Sequence, residues 1–317
     1  SSATADYYVI KNNGTATISA GKLTSSYGGI YNGTSAKLSV TGGTFNTAHV
    51  NVNNYSTLNT EENPSVLIDG EPSLTATEGN VISNAGDGLI HIKNGTMNMP
   101  TTTIGTPTVI NCKSGKIIIS GGTIKMAGGN AAVYSGYSGN GNAEGTIEIR
   151  GGTIESTTSK GINVYEKTKL IVSGGYINSY DNGITQNGMY TSVTVTGGTI
   201  VSTKDGCSGI AILSGPATIT GGTITGKKNG VWTYNTNPRT VTLGTNDGKV
   251  SVTSPDITGG VYGINAQEGT TFNFYDGKLT GAKGNSISGT VTSTATNCVV
   301  VKTTSGSTET AVLGPSA

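Results

Sequence analysis

The sequence predicts an all-β chain folded as one parallel β-helix, a β-solenoid of about eleven coils. Three observations predict it. Between Gly145 and Thr225 one phrase recurs four times: a short alternating strand, Gly-Gly, Thr or Tyr, then Ile. The aliphatic residue two places before the first Gly falls at Ile149, Val172, Val195 and Ile219, at intervals of 23, 23 and 24 residues. A fixed period of that size, with strand alternation and no helical periodicity inside it, marks a stack of repeats. Composition agrees, since 50 of 317 residues are Gly and 12% are charged, yet Ile and Val return at regular places instead of scattering as they do in disordered chains.

The elements follow in order. Ser1 to Asn13 holds Tyr7, Tyr8, Val9 and Ile10, apolar enough to cover the open end of a stack, and is read as an N-terminal cap. Residues 14–296 are read as coils of roughly 22 to 24 residues plus insertions, with markers at Ile18, Val40, Ile68, Ile92, Ile119, Ile149, Val172, Val195, Ile219, Val252 and Phe274. Long intervals place insertions at Gly128 to Asn142 and Thr233 to Asp247, both rich in Gly and Asn. In Val193-Thr194-Val195-Thr196-Gly197-Gly198-Thr199-Ile200 the alternation points Val193, Val195 and Ile200 inward and the threonines outward. The Gly pair marks a sharp turn. A further short strand follows, as in Gly161-Ile162-Asn163-Val164-Tyr165 and Gly230-Val231-Trp232, giving three strands per coil. Residues 297–317 read Cys298-Val299-Val300-Val301, a turn at Ser305-Gly306-Ser307, then Ala311-Val312-Leu313, a C-terminal cap closing a single domain of 1–317.

The Gly-Gly-Thr-Ile coils, such as Gly121-Gly122-Thr123-Ile124 and Gly197-Gly198-Thr199-Ile200, resemble the right-handed parallel β-helices of the pectate-lyase-like superfamily. They are also similar to the Gly-Gly-Thr-Ile repeats of large surface proteins of Gram-positive gut bacteria. The resemblance spans nearly the whole chain and implies an exported protein displayed on a bacterial cell surface. It also implies the right hand, as does the crossover rule for parallel strands. The superfamily includes pectate lyases and polygalacturonases, so a polysaccharide enzyme has to be weighed. The Asn-Thr-Asp, paired Asp and Gly-His-Gly stretches of polygalacturonases do not occur here.

A net charge of +1 gives no basic footprint for nucleic acid, and no apolar run approaches the ~20 residues of a membrane span. The chain carries no charged-then-apolar leader at Ser1 and is expected to be a mature fragment or excised domain, monomeric within a larger surface protein. Cys112, Cys207 and Cys298 show no metal spacing and read as small buried or turn residues. Sequons at Asn13, Asn32, Asn54 and Asn94 are what chance supplies in so Asn-rich and Thr-rich a chain.

Five sets of residues are weighed for chemistry. His91, between Ile90 and Ile92, and His49 read as outward strand residues. Of the two arginines, Arg150 stands outward beside Glu148, as in a surface ion pair, and Arg239 falls in the second insertion. Asp181, Asp205 and Asn229 are spaced 24 residues apart just ahead of strands, so stacking would bring them within roughly 5 Å of one another. They read either as ordinary turn residues or as a Ca²⁺ site, Asp181 and Asp205 being the metal candidates. Tyr31, Tyr134, Tyr165, Trp232, Tyr234 and Tyr262 follow, alternate with or precede inward aliphatics, which makes an outward aromatic stripe suited to stacking on the C–H faces of sugars. Thr123, Thr153, Thr199 and Thr223 form an outward column broken by Tyr176, read as a hydroxyl ladder because the interruption spoils the flat lattice of an ice-binding face.

These observations predict a non-catalytic adhesin or stalk segment whose exposed sheet face binds a polysaccharide, host glycan or surface protein. Ca²⁺ is the one cofactor considered. A Ca²⁺-dependent lyase of the pectate type and a purely structural spacer are the alternatives.

Overall fold

The computed structural model describes residues 7–101, 107–136, 144–234 and 239–316. The insertion readings at Gly128 to Asn142 and Thr233 to Asp247 lie in part outside the described residues. Those described form thirty-seven strands and no helix. The first thirty-three make eleven complete coils, each contributing one strand in turn to sheets A, B and C, and all neighbours pair in parallel. Ile287–Ser288 and Ser293–Thr294 begin a twelfth coil on sheets A and B.

Each sheet sends a column of aliphatics inward. Ile162, Ile184, Ile210 and Val231 stack on sheet A, Ile149, Val172, Val195 and Ile219 on sheet B, and Ile154, Ile177, Ile200 and Ile224 on sheet C. All are essentially inaccessible to solvent. At roughly 1.5 to 3 kcal/mol per buried aliphatic, these columns form the core that a solenoid lacks at any single centre.

The turn from sheet B to sheet C explains the Gly pair. A Cβ on Gly197 would lie 2.5 Å from the Ser173 carbonyl oxygen of the coil before, and Gly198 has φ +85°, so the first Gly is required by close approach and the second by backbone conformation. The Gly that opens each A strand has a different role: a Cβ on Gly183 would strike the Ile200 side chain at 2.4 Å and the Gly209 carbonyl at 2.5 Å. Its absence lets sheet A close down on the sheet C core.

Tyr8–Asn12, expected within the N-terminal cap, is the first strand of sheet A, paired with Gly28–Asn32. At the other end Cys298–Ser305 and Thr308–Pro315 form an antiparallel hairpin that joins sheet C beside Lys278–Ala282. Glu309 ties it down by accepting from Ser286 and pairing with Lys302 at 3.2 Å.

The structure corrects one marker. Val250-Ser251-Val252-Thr253 is no strand, and Val252 is exposed. The tenth B strand is Arg239–Leu243, paired with Gly215–Ile219, and the extra length loops out after it at 244–255. Asp276 holds that loop by accepting from the Thr245 and Ser251 amides at 2.8 and 2.6 Å.

Candidate functional site

The outward column of sheet A is fixed by its register. From the second coil to the tenth it reads Tyr31, Asn53, Ser83, Asn111, Tyr134, Asn163, Thr185, Ala211, Trp232. No member is charged. Three of the six predicted stripe residues, Tyr31, Tyr134 and Trp232, therefore share one column. Tyr165 and Tyr234 sit two residues further along their strands, at the edge leading to sheet B, where the Tyr165 amide bonds the Ser135 carbonyl and the Tyr234 amide the Ile212 carbonyl. Tyr262 lies at the opposite edge, paired with Asn229. Alternation was expected to expose several of these rings. Tyr234 is 41% exposed, and the other five are half-buried, Tyr31, Tyr134, Tyr165 and Trp232 each leaning on a neighbouring ring.

The rings gather into platforms. Tyr31 stacks on Tyr55 with centroids 5.1 Å apart and touches Tyr8 at 5.7 Å. Tyr134 meets Tyr165 at 5.6 Å, and Trp232 meets Tyr234 edge-on at 5.5 Å. Burial pushes the Tyr134 phenol above its ordinary value, with Tyr165 and Glu166 adding to it, so it stays a neutral donor. Tyr8 and Tyr55 escape sequence reading because their partner rings lie on neighbouring coils, and only the register shows that they meet.

Between the platforms the floor is polar and incompletely bonded. The Asn53 amide donates to the Tyr8 hydroxyl at 2.6 Å, but its Oδ1 has no partner among the described residues. The same holds for Ser83 Oγ, Asn111 Oδ1 and Thr185 Oγ1, and Ser83 and Thr185 are each only 3% exposed. A 310 Å³ cleft opens over this floor, lined by Asn80, Thr108, Asn111, Lys113, Asn130, Tyr134 and Gly136. Buried polar groups are seldom left unbonded in a finished fold, and a row of them on one face marks a place where an outside donor or acceptor fits.

The register also corrects the stacking expected of Asp181, Asp205 and Asn229. Asn182, Ser208 and Asn229 share one register position instead, Ser208 and Asn229 opening their strands, linked by the bond from the Ser208 amide to Asn182 Oδ1 at 2.8 Å and from Asn229 Nδ2 to Ser208 Oγ at 2.9 Å. Asp181 faces Cys207, whose thiol donates to its Oδ1 at 3.2 Å, while Asp205 stands exposed in the turn. The cause is turn length, since Asp205 lies further ahead of Ile210 than Asp181 does of Ile184. Among the described residues no three His, Cys, Asp or Glu side chains converge as a metal cage.

Neither arginine stands on sheet A. Arg150 grips Glu61 with two bonds of 2.7 and 2.8 Å, holding the Glu61 carboxyl down at about 2, and also pairs with Glu148. This clasp draws the loop 55–64 from the third coil across sheet B. Beneath the span lie outward residues of sheet B, and so His91 is 7% exposed and Ile118 fully buried. His91 bonds Ser120 Oγ at 3.0 Å, and burial lowers its pKa. Arg239, expected in a loop, is a B-strand residue only 3% exposed, with its guanidinium donating to the Glu268 carbonyl at 2.8 Å. His49 sits at a turn against Tyr27, with ring centroids 4.7 Å apart, and 3.7 Å from Glu78. On sheet C the threonine column holds its expected register, Tyr176 standing between Thr153 and Thr199.

Sequence reasoning missed the asparagine ladder altogether. Asn12, Asn32, Asn54 and Asn84 occupy one inward position at the turn from sheet A to sheet B, each Nδ2 donating to the next Oδ1 at 2.8 Å. Two of the four sequons, at Asn32 and Asn54, belong to this buried ladder. Cys112 takes the next rung, where burial pushes its thiol up to about 12, and all three cysteines are free.

Comparison with protein-family models, with curated proteins and with solved structures returned no match to this chain.

Proposed function

We propose that this chain is a non-catalytic glycan-binding solenoid, a segment of an exported surface protein that uses the outer face of sheet A to hold polysaccharide or host glycan. One observation carries the reading: aromatic platforms and unpartnered amide and hydroxyl groups share a single outward column that is uncharged from Tyr31 to Trp232, with Lys11 as its rung on the first coil. A pyranose presents an apolar C–H face and a rim of hydroxyls, and these two chemistries match the rings and the floor between them. The Gly-Gly-Thr-Ile repeat supports the surface setting by its resemblance to bacterial surface proteins.

Affinity electrophoresis through gels containing neutral, anionic or mucin-type polysaccharides tests the proposal. The wild-type chain is retarded by at least one polymer, and a Trp232→Ala, Tyr165→Ala double variant runs as in an empty gel. Equal retardation of the variant removes the platforms from the account. Unsaturated product formed from a uronic-acid polymer with Ca²⁺ would replace it with a lyase.

A further inference from the structure

The glycan reading leaves open how a chain lies on the face and what kind of chain it is. The platforms answer both, and the inference therefore rests on that reading. Tyr31, Tyr134 and Trp232 are separated by four coils and again by four coils in the A register. Four rungs of a parallel sheet measure about 19 Å. We propose that sheet A binds a neutral, extended polysaccharide running along the solenoid axis, with its sugars stacking on three aromatic platforms four coils apart.

Two features set the direction. An extended β-linked pyranose chain advances about 5 Å per sugar, close to one rung, so its hydroxyls stay in step with successive floor residues only when it runs along the axis. The intervening rungs, Asn53, Ser83 and Asn111, then Asn163, Thr185 and Ala211, supply hydrogen-bonding groups at five of six places. A chain crossing the sheet would meet one platform and then the turns, whose lengths differ from coil to coil.

Charge sets the polymer class. From Tyr31 to Trp232 the column itself holds no cation; Lys11 stands over the Tyr31 ring at 6.0 Å and Lys113 lines the cleft beside Tyr134, too few to pair a carboxylate on every sugar, and burying the rest against neutral amides is unfavourable, so an uncharged polymer fits better than a uronate. The two nine-tenths buried hydroxyls without partners, Ser83 Oγ and Thr185 Oγ1, mark the floor of the two intervals.

Spacing makes the proposal testable by length. A trisaccharide reaches one platform and a hexasaccharide reaches two, so linkage through a short spacer should multiply affinity. Isothermal titration with β-1,4-linked gluco- and manno-oligosaccharides of two to ten sugars is the experiment. The expected result is a fall in Kd of at least tenfold between three and six sugars for one of the series, and a second fall approaching ten. Tyr134→Ala with Tyr165→Ala removes the middle platform and leaves three-sugar and six-sugar ligands equal in affinity. Tyr134→Phe with Tyr165→Phe keeps the rings and the gain, which separates stacking from any folding defect. Binding that does not strengthen beyond three sugars overturns the axial arrangement and leaves glycan binding standing. Tighter binding of oligouronates overturns the neutral class. If no oligosaccharide or polymer binds, both the arrangement and the glycan reading fall.

Discussion

Replacing Asn54 by Ala should destabilise the first coils by about 3 kcal/mol, and the structure shows where the loss arises. The Asn54 side chain accepts from Asn32 Nδ2 at 2.8 Å, donates to Asn84 Oδ1 at 2.8 Å and accepts from the Ser56 amide at 3.3 Å. Asn32 Nδ2 keeps the Ala36 and Ser65 carbonyls as partners, so its loss is modest. Asn84 Oδ1 loses its bond to Asn54 inside the stack. A net hydrogen bond contributes about 1 kcal/mol and an orphaned buried acceptor costs about 1 to 3, which gives about 2 to 4 kcal/mol in all. Asn54→Asp sharpens the test. A carboxylate can accept from Asn32 but cannot donate to Asn84, so folding favours the protonated acid and raises its pKa. The variant should then be closest to wild type below the unfolded carboxylate value of about 4 and lose stability as pH rises through the raised folded value. Urea unfolding followed by circular dichroism, with hydrogen exchange assigning the loss to the first four coils, measures both variants. A change in Asn54→Ala below about 0.5 kcal/mol, or an Asn54→Asp variant with no pH dependence beyond that of wild type, would refute the ladder as a source of stability.

Four further outcomes are expected. Ile219→Asp places a carboxyl in a fully buried column and should cost more than about 3 kcal/mol, read from the urea midpoint, because no charge partner is within the core. Arg150→Met should make the loop 55–64 a site of proteolytic nicking at neutral pH while changing global stability by less than about 1 kcal/mol, since the pair is solvent-exposed. In wild type the Glu61 carboxyl is held at about 2, so the clasp is intact above the unfolded carboxylate value and the loop should open only as pH falls toward that figure, with pepsin nicking as the readout. Asp181→Asn should speed alkylation of Cys207 at pH 8 severalfold, because burial and the adjacent Asp181 together push that thiol up to about 11, and an unchanged rate would show that burial acts alone.

Much of the fold was legible because the solenoid writes its core into a short period. Each Gly-Gly-Thr-Ile phrase, with the strand before it, carries an inward residue of sheet B, one turn and one inward residue of sheet C, so four consecutive coils share one visible pattern. Val252 misled because alternation in an exposed loop mimics a strand, whereas Thr240-Val241-Thr242-Leu243 ends in a single Gly244 without the Gly pair. Turn lengths were not legible, and that displaced Asp205 from the position of Asp181. The asparagine ladder was hidden because Asn before Gly, as at Asn32, reads equally well as a turn residue. His91 shows the remaining gap: its outward direction follows from alternation, but its burial depends on a loop clasped by a residue three coils away. The aromatic residues were named from local alternation. Their grouping into three platforms on a common face required the register.

Trp232 is the chain's single tryptophan and stands at one platform, so its fluorescence reports on the proposed face directly. Titration with the neutral polysaccharide that retards the protein most should give a saturable shift in emission, with a midpoint matching the affinity from calorimetry. Binding that saturates with no change in Trp232 emission, together with unaltered affinity in Trp232→Ala and Tyr134→Ala variants, would place the ligand elsewhere and contradict the account.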